Sequence, residues 1–113
     1  MTRTEDERII DILESSADLA KLVALGEERF MSDWIVQRAA ERLLEIIGEA
    51  TNSLTKDGWQ SPSEISWRHM INLRHLLAHH YHRVDPLQVW NIAAEDIPQL
   101  IHVLEGSRKN LSN

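Results

Sequence analysis

Residues 33–54 read DWIVQRAAERLLEIIGEATNSL, and this stretch decides the fold class. Its apolar positions Ile35, Ala39, Leu43, Ile46, Ile47, Ala50 and Leu54 recur at steps of three and four, the spacing of one helical face. Ser32 or Asp33 can cap the helix, because a short side-chain oxygen there accepts from a free first-turn amide. Gly48 breaks an otherwise good helical run. A helix-interior glycine costs about 1 kcal/mol relative to alanine, so a close packing contact is expected at that position.

The same period continues on both sides. Upstream, Ile9, Ile12, Leu13, Ser16, Leu19, Ala20 and Val23 form a helical stripe. Glu5–Glu7 suit its start, Lys21 its end, and Gly26 its stop. Downstream, Lys56-Asp57-Gly58 reads as a turn, and Ser61-Pro62-Ser63-Glu64 as a capping box with a first-turn proline. A helix carrying Trp67, Met70, Ile71, Leu73, Leu76 and Leu77 should follow. Asp85-Pro86 starts a last helix with a stripe at Leu87, Trp90, Ala94, Ile97, Ile101 and Leu104. Pro98 falls within that stripe, so a recap at Asp96 and a kink are expected. Residues 106–113 read as a polar, frayed tail. No strand-like alternation and no repeat occurs. The expected fold is therefore a single all-α domain over residues 1–113, a four- to five-helix up-and-down bundle.

Composition narrows the function classes. The chain has 113 residues, a formal net charge of -6, and no cysteine. Disulfides and thiolate metal sites are excluded. The acidic balance disfavours nonspecific nucleic-acid binding, so any RNA contact needs a local basic cleft. Residues 1–7 carry no apolar signal region and no apolar run could cross a bilayer. A cytoplasmic location without membrane association is expected.

One window departs from the acidic average. His69, His75, His79, His80 and His82 are five of the six histidines, and Arg68, Arg74 and Arg83 share their segment. No acidic residue occurs from Ile65 to Val84. Arginine grips phosphate oxygens through a charged fork, and histidine exchanges protons near neutrality. Together they suffice to cleave RNA without a metal, using the ribose 2′-hydroxyl as nucleophile. Arg74 and Tyr81 lie nearly in line on a helix, whereas Arg74 and His79 are ~140° apart. Both would serve one substrate only if the helix ends near His79 or a second chain completes the site. His75, His79 and His82 also have zinc-ligand spacing. The lack of cysteine or a nearby carboxylate weighs against a metal, and neither metal nor cofactor is expected. The four tryptophans read as core or interface anchors. Glu41, Glu45 and Glu49 read as a solvated stripe.

Arg74-x4-His79-x-Tyr81 resembles the R-x4-H-x-Y signature of the HEPN superfamily, in its HepT-like toxin branch. Leu44-Glu45-Ile46-Ile47-Gly48-Glu49-Ala50, Ile65-Ser66-Trp67 and the segments 84–90 and 96–100 resemble further blocks of that branch, in order. The resemblance implies a dimer whose signature helices face each other, so that two copies of Arg74 and His79 line one cleft. It implies a metal-independent endoribonuclease, the toxin of a type VII-like toxin–antitoxin pair. Its partner would be a minimal nucleotidyltransferase antitoxin that can transfer AMP to Tyr81, placing negative charge where RNA binds. His75 stands where the branch commonly has asparagine, and His80 where it commonly has glycine; both are supporting candidates. Ser66 stands for the usual proline. The alternative function is a non-catalytic helical module that binds nucleotide, RNA or the partner.

Overall fold

The computed structural model describes residues 4–58, 67–80 and 84–111. Those residues are helical apart from short turns and caps, with no strand among them. The helices are α1 (Glu5–Val23), α2 (Glu27–Ser32), α3 (Trp34–Lys56), α4 (Trp67–His80), α5 (Pro86–Asn91) and α6 (Ile97–Leu111), with a π-helical segment (Ile92–Asp96) joining the last two. Since α5, the π segment and α6 form one interrupted rod, the described architecture is five-membered, within the expected four to five.

Local chemistry sets the helix starts. The Thr4 hydroxyl accepts from the Glu7 amide while the Glu7 carboxylate accepts from the Thr4 amide, a full capping box for α1. Gly26 stops the α1–α2 connection at a φ of 98°, a left-handed conformation that a side chain would oppose. The Asp33 carboxylate accepts from the amides of Ile35 and Val36 and so caps α3 as expected. The Asp85 carboxylate accepts from the Leu87 amide, with Pro86 at the first helical position. The turn after α3 includes Gly58 at positive φ. The proposed cap at Ser61–Glu64 lies outside the described residues.

Helix α1 lies along α3, and α3 along α4. The core runs through Ile12, Leu19, Phe30, Ala40, Leu44, Ile47, Leu54, Met70, Leu73, Val89, Leu100 and Leu104. Burying a large aliphatic chain contributes about 1.5–3 kcal/mol, so this set supplies the main driving force for folding. Two expected faces are displaced. In α3 the expected Ile47, Ala50 and Leu54 are buried, but in its N-terminal half Val36, Ala40 and Leu44 are the buried apolar positions, whereas Ile35 and Ala39 are exposed. In the last rod, Val89, Ile92, Ala93, Ile97, Leu100 and Leu104 are buried and Leu87 is exposed. Apolar residues stand side by side in both helices, and packing selects the neighbouring stripe. Glu41 is also corrected: it is buried, and the Arg38 guanidinium donates to both its carboxylate oxygens at 2.8 Å. Trp34 is exposed rather than core, while Trp90 packs at a tilt against Phe30, with ring centroids 5.3 Å apart.

The irregularity expected near Pro98 takes the form of the π segment, in which the Ile97 amide donates to the Ile92 carbonyl. Proline brings no amide, and its ring collides with the carbonyl four residues back in a regular helix. Widening the preceding turn relieves that collision. Helix α6 then continues through Gly106 to Leu111, where the sequence suggested a frayed tail. No helix among the described residues is long and apolar enough to cross a membrane.

Candidate active site

Helix α4 carries Arg74 and the backbone of His79. Met70, Leu73 and Leu77 are its buried side chains, spaced three and four apart on the face that meets α3. Arg74 lies beside Leu73 at the edge of that seam and is half-buried. Its position depends on Gly48 of α3. A Cβ at residue 48 would stand 2.9 Å from the Arg74 Cβ and 2.9 Å from the Met70 carbonyl oxygen. Real Cβ atoms do not approach backbone so closely, so only glycine admits α4 at this distance. The close contact expected for Gly48 is thus with the helix that carries the site, and it sets where the Arg74 side chain begins.

The surrounding charges are arranged unevenly. Arg29 pairs with Asp33 at 2.9 Å, Arg38 with Glu41, and Arg42 with Glu45 at 3.3 Å, each within one helical turn. Arg8 faces Asp57 at 3.8 Å, beyond hydrogen-bond length. Among the described residues, neither Arg68 nor Arg74 forms an ion pair. Among the described residues the Arg74 Nε, like the Arg8 Nε, is buried and has no hydrogen-bond partner. A buried donor without a partner is costly, about 1–3 kcal/mol.

Arg68, His69 and His75 are exposed on α4. His69 acts electrostatically on the π segment. Burial pushes the Asp96 carboxyl up from its ordinary range, attraction to His69 partly offsets this, and Glu95 adds to the rise. His79 and His80 occupy the last two positions of α4. Their side chains lie outside the described residues, as do Tyr81, His82 and Arg83. The helix therefore places the backbone of His79 five residues beyond Arg74, ~140° around the axis on regular geometry. The structure brings together Arg74, Gly48 and Met70. Sequence reasoning had flagged Gly48 and Arg74 separately; the signal that could have joined them was a lone glycine inside a strong helix facing a helix rich in cations.

A family profile described as "Ribonuclease HepT-like" matches residues 12–106. The chain belongs to this family. It is similar to "Putative RNase MJ1380" of Methanocaldococcus jannaschii, with 32% identity over 93 residues, covering 81% of this chain and 85% of the relative. It is also similar to "Probable ribonuclease HepT" of Thermococcus cleftensis, with 38% identity over 104 residues, covering 88% and 94%. No solved structure matches the chain. The matched span includes α3, α4 and the π segment, so the Gly48–Arg74 seam lies inside the HepT-like region.

Proposed function

We propose that this HepT-like protein is a metal-independent endoribonuclease and the toxin of a toxin–antitoxin pair. The observation that carries the reading is Arg74: seated against Gly48, on a helix without carboxylates, and without a counter-ion among the described residues. An arginine in that state suits a phosphodiester, whose charge grows as the 2′-oxygen bonds to phosphorus. His79 takes the 2′-hydroxyl proton or returns one to the departing 5′-oxygen, leaving a 2′,3′-cyclic phosphate and a 5′-hydroxyl. Two chains supply the groups of one cleft, which would bring Arg74 of one copy to His79 of the other. His75 and His80 support the site. Tyr81 contacts phosphate and is the residue a nucleotidyltransferase antitoxin would modify with AMP.

The test is RNA cleavage in EDTA by the purified chain, alongside growth arrest on expression. Arg74→Ala and His79→Ala should each lower cleavage at least ~100-fold, the scale of a lost charge-stabilising or acid–base group, with helicity and oligomeric state unchanged. Full toxicity in His79→Ala would sink the reading. RNA bound but left uncut by the wild-type chain would favour the non-catalytic module. Intact mass after co-expression with a nucleotidyltransferase should rise by AMP units, and Tyr81→Phe should abolish the rise.

A further inference from the structure

The outer flank of α3 carries side chains that the core does not use. Trp34, Ile35, Arg38, Ala39 and Arg42 are all exposed there, and Met31 at the end of α2 is exposed as well. Trp34 is 68% exposed. Tryptophan is highly buried on average, and this indole contributes little to the fold. Trp34, Arg38 and Arg42 follow one another at steps of four. They form one ridge ~12 Å long on the helix surface, with the indole at its start.

The charges along this ridge are sorted by depth. In Arg29–Asp33, Arg38–Glu41 and Arg42–Glu45 the guanidinium is the more exposed partner, at 58% against 23%, 51% against 10% and 65% against 33%. Arg8–Asp57 is sorted the other way. The carboxylates on α3 therefore hold the arginines from beneath, and the cationic forks meet solvent. Arg29 gives its Nε to Asp33, and Arg38 gives one terminal nitrogen to Glu41. Among the described residues neither gives a second nitrogen to any partner. Arginine has five N–H donors, so outward donors remain for an anion. Exposed carboxylates bound the strip along the chain: Glu27 and Glu28 in the first turn of α2, and Glu49 beyond Arg42.

An open indole in line with outward arginines matches single-stranded RNA, which offers unstacked base faces and a regular row of phosphates. Duplex bases are already stacked, and a second copy of this chain would bring the same outward cations to a two-fold contact. The position also fits. Helix α5 follows the end of α4 and packs on both α2 and α3, so the strip lies at the end of the bundle where α4 brings His79. We propose that Trp34, Arg38 and Arg42 bind single-stranded RNA, the indole stacking on a base and the arginines holding the adjoining phosphates. The choice of RNA rests on the ribonuclease reading, but the strip uses no residue assigned to cleavage.

The probe is a labelled 2′-O-methyl oligouridine of about twelve nucleotides, within the span such strips cover. It has no free 2′-hydroxyl, so the proposed chemistry leaves it whole and anisotropy reads binding alone. In the full chain, Trp34→Ala should weaken binding about tenfold, the scale of one stacked base, and Trp34→Phe should retain most of the affinity. Arg42→Gln should weaken binding and lower the slope of log affinity against log salt by about 0.7, the mark of one phosphate contact on a single strand. Arg42 is chosen over Arg38, whose loss would strand the buried Glu41 carboxylate. All three variants should keep the wild-type Tm, because the replaced side chains are exposed. No binding by the wild type, or unchanged affinity in Trp34→Ala or in Arg42→Gln, would overturn the proposal. So would loss of self-association in Trp34→Ala with oligonucleotide affinity intact, which would assign the patch to a second copy. Cleavage of ordinary RNA separates the two readings. Probe binding through Trp34 with no RNA cut would remove the ribonuclease and leave the strip. Normal cleavage with unchanged KM in Trp34→Ala and Arg42→Gln would remove the strip and leave the ribonuclease.

Discussion

Two helix pairs in this bundle use small residues to opposite ends. Between α3 and α4, Gly48 lets the backbone of one helix close on the other until no Cβ could fit. Between α1 and the last rod, Ala17, Ala20 and Ala93 face one another across an open groove. The difference lies in what each partner helix is free to do. Helix α4 carries a regular apolar stripe and settles into α3. The last rod is widened at its π segment, and between it and α1 the small side chains line a cavity. A small residue permits approach; whether approach happens is decided by the helix opposite.

The largest effect should come from forcing the tight seam. Gly48→Val puts a branched side chain into the Met70 carbonyl and the Arg74 Cβ. Overpacking of this kind costs about 3 kcal/mol, read from the urea midpoint, and cleavage should fall with it because Arg74 is displaced. A midpoint unchanged from wild type would mean that α3 and α4 do not meet so closely. Gly106 is the matched control on the open side. It is also inside a helix, but nothing lies within 4 Å of where its Cβ would be. Gly106→Ala should therefore raise stability by about 0.5–1 kcal/mol through helix propensity alone. Adding a side chain thus removes stability at one glycine and adds it at the other.

The smallest effect acts at the start of the seam helix. The Arg29 guanidinium beside Asp33 holds that carboxyl below its usual value, and the capping amides of Val36 and Ile35 add to the depression. A carboxyl with a depressed folded pKa favours the fold above its unfolded pKa, near ~3.9. That contribution fades as pH falls through the lower folded value. Asparagine caps equally well without titrating. Asp33→Asn should leave stability near neutrality almost unchanged and flatten its decline below about pH 4. Urea midpoints from pH 2.5 to pH 6 (roughly the carboxylate range) would show parallel curves if Asp33 were not involved.

Much of this arrangement could be read from side-chain spacing. Asp33 and Asp85 are caps because aspartate, followed by helical periodicity, has little else to do. Gly48 stood out because nothing else in its helix breaks the pattern. The buried faces were harder. Ile35-Val36, Leu43-Leu44 and Ile46-Ile47 offer two apolar stripes one residue apart, and periodicity alone gives both. Burial chose the stripe that meets both α1 and α4, and Glu41 went with it because Arg38 could accompany its charge. Arg74 drew notice in the sequence through its acid-free surroundings. Its dependence on Gly48 was not, because a contact between residues 48 and 74 is a fact of helix packing. The groove at Ser16 was less legible still: a serine within an apolar stripe looks like part of the core until the opposite wall is known to stand away.

The π segment also governs how the last rod keeps time with the core. Val89 and Leu104 both face inward. Uninterrupted α-helical steps from 89 to 104 would leave them ~60° out of phase. Each residue of a π turn advances less around the axis, so the segment retards the helix by about one residue, and the two positions end ~40° apart on the other side, within one apolar stripe. In terms of register, residues 92–96 spend about one residue more than an α-helix would for the same rotation, and the rod still keeps its apolar side on its neighbours. The groove beside Ser16 opens next to that wider turn, on the outer face of the bundle.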